Sequence, residues 1–155
     1  MFIRKDGVIE KEDVKNLLGI VEREVVGNLI DFLLKKDAIK SLELLENAAE
    51  RGSSPEGLHE GVMSYLRDMM ILKIISHKEE DSEETSLMSS LLAKFTKEEV
   101  ARIKEQIKET NTQEIKMMID SFYGAGERIK YSPIPQLPLE VAIAEITDNL
   151  RKEEK

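Results

Sequence analysis

Between Val26 and Leu72, three stretches with helical spacing follow one another across connectors too short for anything but tight reversals. Val26, Leu29, Ile30 and Leu33 recur at i, i+3, i+4 and i+7, which places them on one helical face. Ala38, Leu42, Leu45 and Ala49 repeat that pattern, and so do Leu58, Val62, Tyr65, Met69 and Leu72. Lys35-Lys36-Asp37 is all that separates the first stretch from the second, so those two must run antiparallel. Gly52 is placed to end the second helix, and Ser53 or Ser54 before Pro55 to start the third.

The rest of the chain carries the same signal. Pro and Gly are sparse, Trp is absent, and no stretch alternates β-branched and polar residues as a strand would. The expected class is all-α: one bundle-like domain of about six to seven helices spanning residues 1–155. That length buries a core without covalent staples. With 41% hydrophobic and 35% charged residues the chain reads as globular rather than disordered. The absence of Cys excludes disulfides and thiolate chemistry. Met1-Phe2-Ile3-Arg4-Lys5 leads directly into charged residues, unlike a signal peptide. The apolar run Met69 to Leu72 stops at Lys73, far short of a membrane span. A cytoplasmic protein is expected.

In order, residues 1–8 read as a polar lead-in with Gly7 as its turn signal, and Ile9 to Leu18 as a short helix closed by Gly19. Residues 78–86, with the charge run from Lys78 to Glu84, read as a solvated acidic loop. Leu87, Leu91 and Leu92 outline a short helix stopped near Phe95. Thr96 and Glu99 then have capping-box spacing. The helix they open has a narrow stripe (Val100, Ile103, Ile107) and should lie at the periphery. After Asn111-Thr112 a stronger face follows, with Ile115, Met118, Ile119, Phe122 and Ile129. Gly124 and Gly126 interrupt it, to permit a close crossing or to soften the helix. Three prolines between Ser132 and Pro138 predict an extended, non-helical connector, with Pro138 in the first turn of a last helix. Leu139, Ala142, Ile143, Ile146 and Leu150 share one face of that helix. Val141 lies nearly opposite, beside Glu145 and Asp148. The final RKEEK reads as a frayed tail.

Features with chemical overtones do not assemble into a site. Glu56 and His59 have the Glu-x-x-His spacing of di-iron bundles, but such a site needs a second copy and two further Glu; Ile74 stands where His77 would require its Glu. Val14 to Ile30 superficially matches a helix-turn-helix with Gly19 at the turn. Its second half offers Glu22, Arg23, Glu24 and Asn28, an acidic balance unsuited to DNA readout. The net charge of −8, with basic residues interleaved among acids, argues against direct nucleic-acid binding. The methionines at 63, 69, 70, 117 and 118 read first as core filling. Met69 to Leu72 followed by Ile74 and Ile75 is apolar all round, which points to a helix central in its own domain or partly covered by a neighbour. No phosphate loop, dinucleotide fingerprint or nucleophile–base pair is present, so no catalytic residue, cofactor or metal is expected.

Four passages resemble one known family. EDVKNLLG, followed by an acidic residue and a helix, LLKKDAIKSLELLENAAERGSSPEGL, YLRDMMILK, and IKYSPIPQLPLEVAIAEI occur in the order and spacing of the collar domain of the bacterial DNA polymerase III gamma/tau subunit. The likeness runs from about Gly7 to Leu150 and is weakest between Lys78 and Lys94. The resemblance implies an oligomerisation domain that packs side by side into a ring. It implies as partners further gamma/tau copies, delta and delta-prime, which together load sliding clamps for DNA replication. It also implies that the chain is the C-terminal part of a parent whose ATPase domains, with their zinc module and arginine finger, lie elsewhere. Delta has a similar collar, and the LEVAIAEI ending with YLRDMMILK favours gamma/tau.

Candidate core or interaction residues are Leu33, Leu45, Met69, Leu72, Phe122, Val141, Ile143 and Ile146. Met69 and Leu72 are expected in the core, whereas Val141 is expected to meet a neighbouring subunit. The alternative is a stand-alone helical adaptor or regulatory protein that binds a partner helix in a groove.

Overall fold

The computed structural model describes the backbone of residues 3, 4, 7, 8, 11–78 and 86–153, and the side chains of 23–77 and 86–153. Among the described residues there are seven helices: α1 (Lys11–Leu34), α2 (Ala38–Glu50), α3 (Pro55–Lys78), α4 (Ser86–Leu92), α5 (Lys97–Lys108), α6 (Thr112–Ile129) and α7 (Leu137–Lys152). Two short strands, β1 (Ile3–Arg4) and β2 (Gly7–Val8), precede them and pair antiparallel. Gly7, the expected turn signal, pairs opposite Arg4 and opens β2 where the chain reverses. The fold is otherwise all-α.

The two reversals are built the same way from different residues. At the end of α1, Lys36 takes a left-handed φ of 61°. Its N–H donates to Leu33 O at 2.9 Å, and the Asp37 N–H donates to Phe32 O at 2.9 Å. At the end of α2, Gly52 has φ 95°. Its N–H donates to Ala49 O, and that of Ser53 to Ala48 O. Both are Schellman closures, which satisfy the orphan carbonyls of a helix end and reverse the chain within one residue. Each is followed at once by a cap. The Asp37 carboxylate accepts from Lys40 N, and the Ser54 hydroxyl accepts from Gly57 N.

α3 is the centre of the molecule. It packs on α1, α5, α6 and α4, and buries Leu58, Val62, Tyr65, Leu66, Met69 and Leu72. Leu66, Met69 and Leu72 are at most 1% exposed, whereas Ile74 is 47% exposed, so the burial is a wide arc rather than the full circumference. α6 runs antiparallel to it: early in α3, His59 Nε2 bonds Phe122 O at 2.8 Å, and late in α3, Lys73 Nζ donates to Ile107 O in the last turn of α5, which leads into α6. Gly126 is the close crossing, because a Cβ there would collide with the His59 imidazole, while Gly124 has open space. α7 lies along α6 and reaches α2 and α1. Leu33, Leu45, Phe122, Ile143 and Ile146 belong with Met69 and Leu72 to one continuous apolar cluster.

Several expectations are corrected. α1 continues through Gly19 instead of ending there. One interior glycine costs about 1 kcal/mol relative to Ala. Burial of Val26, Leu29, Ile30 and Leu33 further along, each worth about 1.5–3 kcal/mol, outweighs it. With no turn at Gly19, the helix-turn-helix reading falls. α2 buries Leu45 as expected, but beside it Ser41 and Ala48 rather than Ala38, Leu42 and Ala49. Leu42 is 38% exposed, and Ser41 tolerates burial because its hydroxyl donates to Asp37 O at 2.8 Å. The proline-rich connector is a compact turn rather than extended. Leu137 N donates to Ile134 O at 3.1 Å, with Pro135 at the second position where its fixed φ suits a type I turn. Of the tail, Arg151 and Lys152 remain in α7, and Arg151 Nη2 donates to Lys36 O at 3.0 Å. Residues 79–85, most of the acidic loop expected at 78–86, lie outside the described residues, as do the last two.

Candidate subunit interface

The junction between α6 and α7 concentrates exposed apolar side chains. Its backbone is closed by its own hydrogen bonds: Tyr131 N and Ser132 N both donate to Arg128 O, and Leu139 N donates to Gln136 O. A connector stabilised in this way frees its side chains. Tyr131 is 85% exposed, Ile134 58%, Leu137 42% and Val141 40%. Tyr123 is 60% exposed, one turn before Glu127 on the same face of α6. Between Glu127, Arg128 and Tyr131 on one side and Leu137, Pro138 and Val141 on the other lies a cleft of about 370 Å³. Pro138 and Leu139 are buried beneath it, which anchors the first turn of α7. Apolar groups clustered on a charged rim mark a surface suited to a protein partner.

The candidate residues read from the sequence divide in two. Leu33, Leu45, Met69, Leu72, Phe122, Ile143 and Ile146 are all at most 3% exposed and support the fold from inside. Val141 alone among them reaches solvent, on the cleft. Tyr131, Ile134 and Leu137 were not singled out by sequence. Their signal was available: they are large apolar residues in a proline-broken connector, where no helical face exists to bury them.

A second feature escaped periodicity altogether. Gln106, on α5 and 2% exposed, accepts from the Tyr65 hydroxyl at 2.5 Å. Its amide donates to Gly27 O at 3.0 Å and Asp31 Oδ1 at 2.7 Å. Arg102 adds Nη2 to Asn28 Oδ1 at 2.7 Å and Nε to Asp31 Oδ2 at 3.5 Å. A Cβ at Gly27 would stand 2.6 Å from Arg102 Nη1, so the glycine lets this guanidinium cross α1. Burial pushes the Tyr65 phenol well above its ordinary range. The network ties α1, α3 and α5 together, and its polar groups are partnered.

Among the described residues no group of three or more His, Cys, Asp or Glu could hold a metal. Glu56 is exposed in the first turn of α3, and His59 Nε2 is engaged by Phe122 O. No described helix is long and apolar enough to cross a membrane.

Comparison with known proteins is consistent with this architecture. The chain is 27% identical over 140 residues to DNA polymerase III subunit tau of Bacillus subtilis (strain 168), an alignment covering 90% of the chain and 23% of that protein. Its fold is similar to that of the Bacillus subtilis DNA clamp loader delta protein, with a TM-score of 0.68 at 16% identity, over 88% of this chain and 40% of the other. The chain thus spans less than half the length of either. Residues 9–154 match the family described as DNA polymerase III subunits gamma and tau domain III, and the chain belongs to that family.

Proposed function

We propose that this chain is the collar of a clamp loader, the part through which its subunits are held side by side in a ring while ATP-driven motions elsewhere open a sliding clamp in DNA replication. Its partners are other gamma/tau copies, delta and delta-prime. It contributes no catalysis and makes no direct contact with nucleic acid, and it works in the cytoplasm. The observation that carries the reading is the apolar corner of Tyr131, Ile134, Leu137 and Val141, set on a chain of the gamma/tau domain III family. Family membership favours this over the stand-alone adaptor. The mechanism is mechanical. A core continuous from α1 to α7 makes the domain stiff, so that spacing between neighbours is fixed by the shape of their contact.

The test is Val141→Asp, which places a charge on the cleft without touching the core. Gel filtration with delta and delta-prime should show the wild-type chain co-eluting and the variant eluting alone, at an unchanged melting temperature. Co-elution of both at equal strength would remove the corner from the interface.

A further inference from the structure

A second cavity lies on the other side of α3, between α1 and the turn joining α4 to α5. It encloses about 400 Å³, more than ten times the roughly 30 Å³ that one water occupies in the liquid. Its floor is a stripe of α3: Gly57 and Gly61 leave space, Ser64 adds a hydroxyl, and Asp68 closes the far end. Asp68 is 1% exposed. Its Oδ2 receives Lys94 Nζ at 2.6 Å, but Oδ1 is buried with no hydrogen-bond partner. Arg67 Nη1 stands 3.7 Å from Oδ1, on a side chain that is largely in solvent.

Buried polar atoms in folded proteins are almost always hydrogen-bonded, and an orphaned carboxylate oxygen is among the most costly exceptions. A carboxylate oxygen accepts only, so what completes it must donate. The cations lining the cavity are already engaged, Lys94 on Asp68 and Arg23 Nε on Glu99 Oε2 at 3.2 Å. Glu60 puts a second carboxylate on the rim. An anion would meet both acids, whereas a cationic donor would gain from both. The glycine stripe taken alone would be ordinary helix packing, and Gly61 does face Val26 across a tight contact. The unpartnered oxygen at its end is what packing leaves unexplained.

We propose that this cavity is a binding site for one organic cation, a guanidinium or primary ammonium group, held by Asp68 Oδ1 with help from Ser64 and Glu60. A guanidinium suits it best, because its planar fork spreads several donors over neighbouring acceptors. The site is independent of the α6–α7 corner and stands whether or not that corner joins subunits.

Agmatine, a small guanidine without a carboxylate, is the probe, titrated into the intact 155-residue chain and followed by backbone amide NMR. Saturable shifts are expected at Ser64, Asp68 and Phe95, and none with butylurea, which has neither of agmatine's two cationic groups. Asp68→Asn should weaken binding at least tenfold. Because that change also disturbs the Lys94 ion pair, Ser64→Leu is the second variant. It fills the cavity from an exposed position, keeps the Asp68–Lys94 pair, and should weaken binding as much at an unchanged melting temperature. A repeat in the presence of delta and delta-prime identifies the source. Exclusion of agmatine by them means the natural cation is a partner's Arg or Lys side chain, and undiminished binding means it is a free amine. Absence of saturable shifts in the wild type, or wild-type affinity in both variants, would overturn the proposal and leave Oδ1 to solvent.

Discussion

The bond between Tyr65 and Gln106 lends itself to a quantitative test, because both partners are buried and each can be replaced by an apolar residue of similar size. Tyr65→Phe removes the donor and strands the Gln106 carbonyl, an unsatisfied buried acceptor that costs about 1–3 kcal/mol. Gln106→Leu strands the Tyr65 hydroxyl in turn. The Gly27 carbonyl keeps its bond within α1 and Asp31 keeps Arg102, so about 1–3 kcal/mol should again be lost. In the double variant neither the hydroxyl nor the amide remains, and the Gly27 carbonyl keeps its bond within α1. Its cost should therefore fall short of the sum of the single costs by about 1–3 kcal/mol. Urea titration with a common m-value reads all three differences. Additivity within about 0.5 kcal/mol would show that the two side chains do not share the bond, and would refute the account of how α5 is tied to α3.

Three further outcomes follow from the packing. Gly124→Ala should stabilise α6 by roughly 0.5–1 kcal/mol by removing helix-interior glycine from open space. Gly126→Ala should destabilise despite the same gain, by driving His59 off Phe122 O; paired urea titrations check the opposite signs. Ile143→Asp puts an unpaired charge at a site 0% exposed and should abolish cooperative unfolding in circular dichroism, in contrast to Val141→Asp. The Tyr65 phenol has its folded pKa raised by burial, so the native state holds a proton that the unfolded state releases near the ordinary Tyr value of about 10. Stability should be at its full value below that pH and fall as pH rises above it, and Tyr65→Phe should flatten this alkaline limb.

The parts of the fold legible in the sequence were those where apolar periodicity alone decides burial. The faces of α3, α6 and α7 are of this kind, and so are the reversals at Lys36 and Gly52. Periodicity misplaced the face of α2, because a local hydroxyl-to-carbonyl bond makes Ser41 cheaper to bury than its composition suggests. It broke α1 at Gly19, because a helix-breaking residue was weighed without the downstream core that holds the helix together. Proline's missing N–H and fixed φ predict an extended connector, whereas Pro135 fits a turn closed by Leu137 N. Gln106, Asp31, Arg102 and the orphan oxygen of Asp68 were invisible for one reason: polar burial depends on partners from distant segments, and no spacing within a helix announces them. The interface residues Tyr131, Ile134 and Leu137 fell in the same gap, in a connector where no face had been assigned.

Association through the α6–α7 corner is tested most directly by the molar mass in solution. Light scattering should be run on the 17.7 kDa chain alone, and then on its mixture with delta and delta-prime. The prediction is one stoichiometric complex in the mixture, heavier than any component and abolished by Val141→Asp. A chain that scatters at 17.7 kDa in every mixture would contradict it.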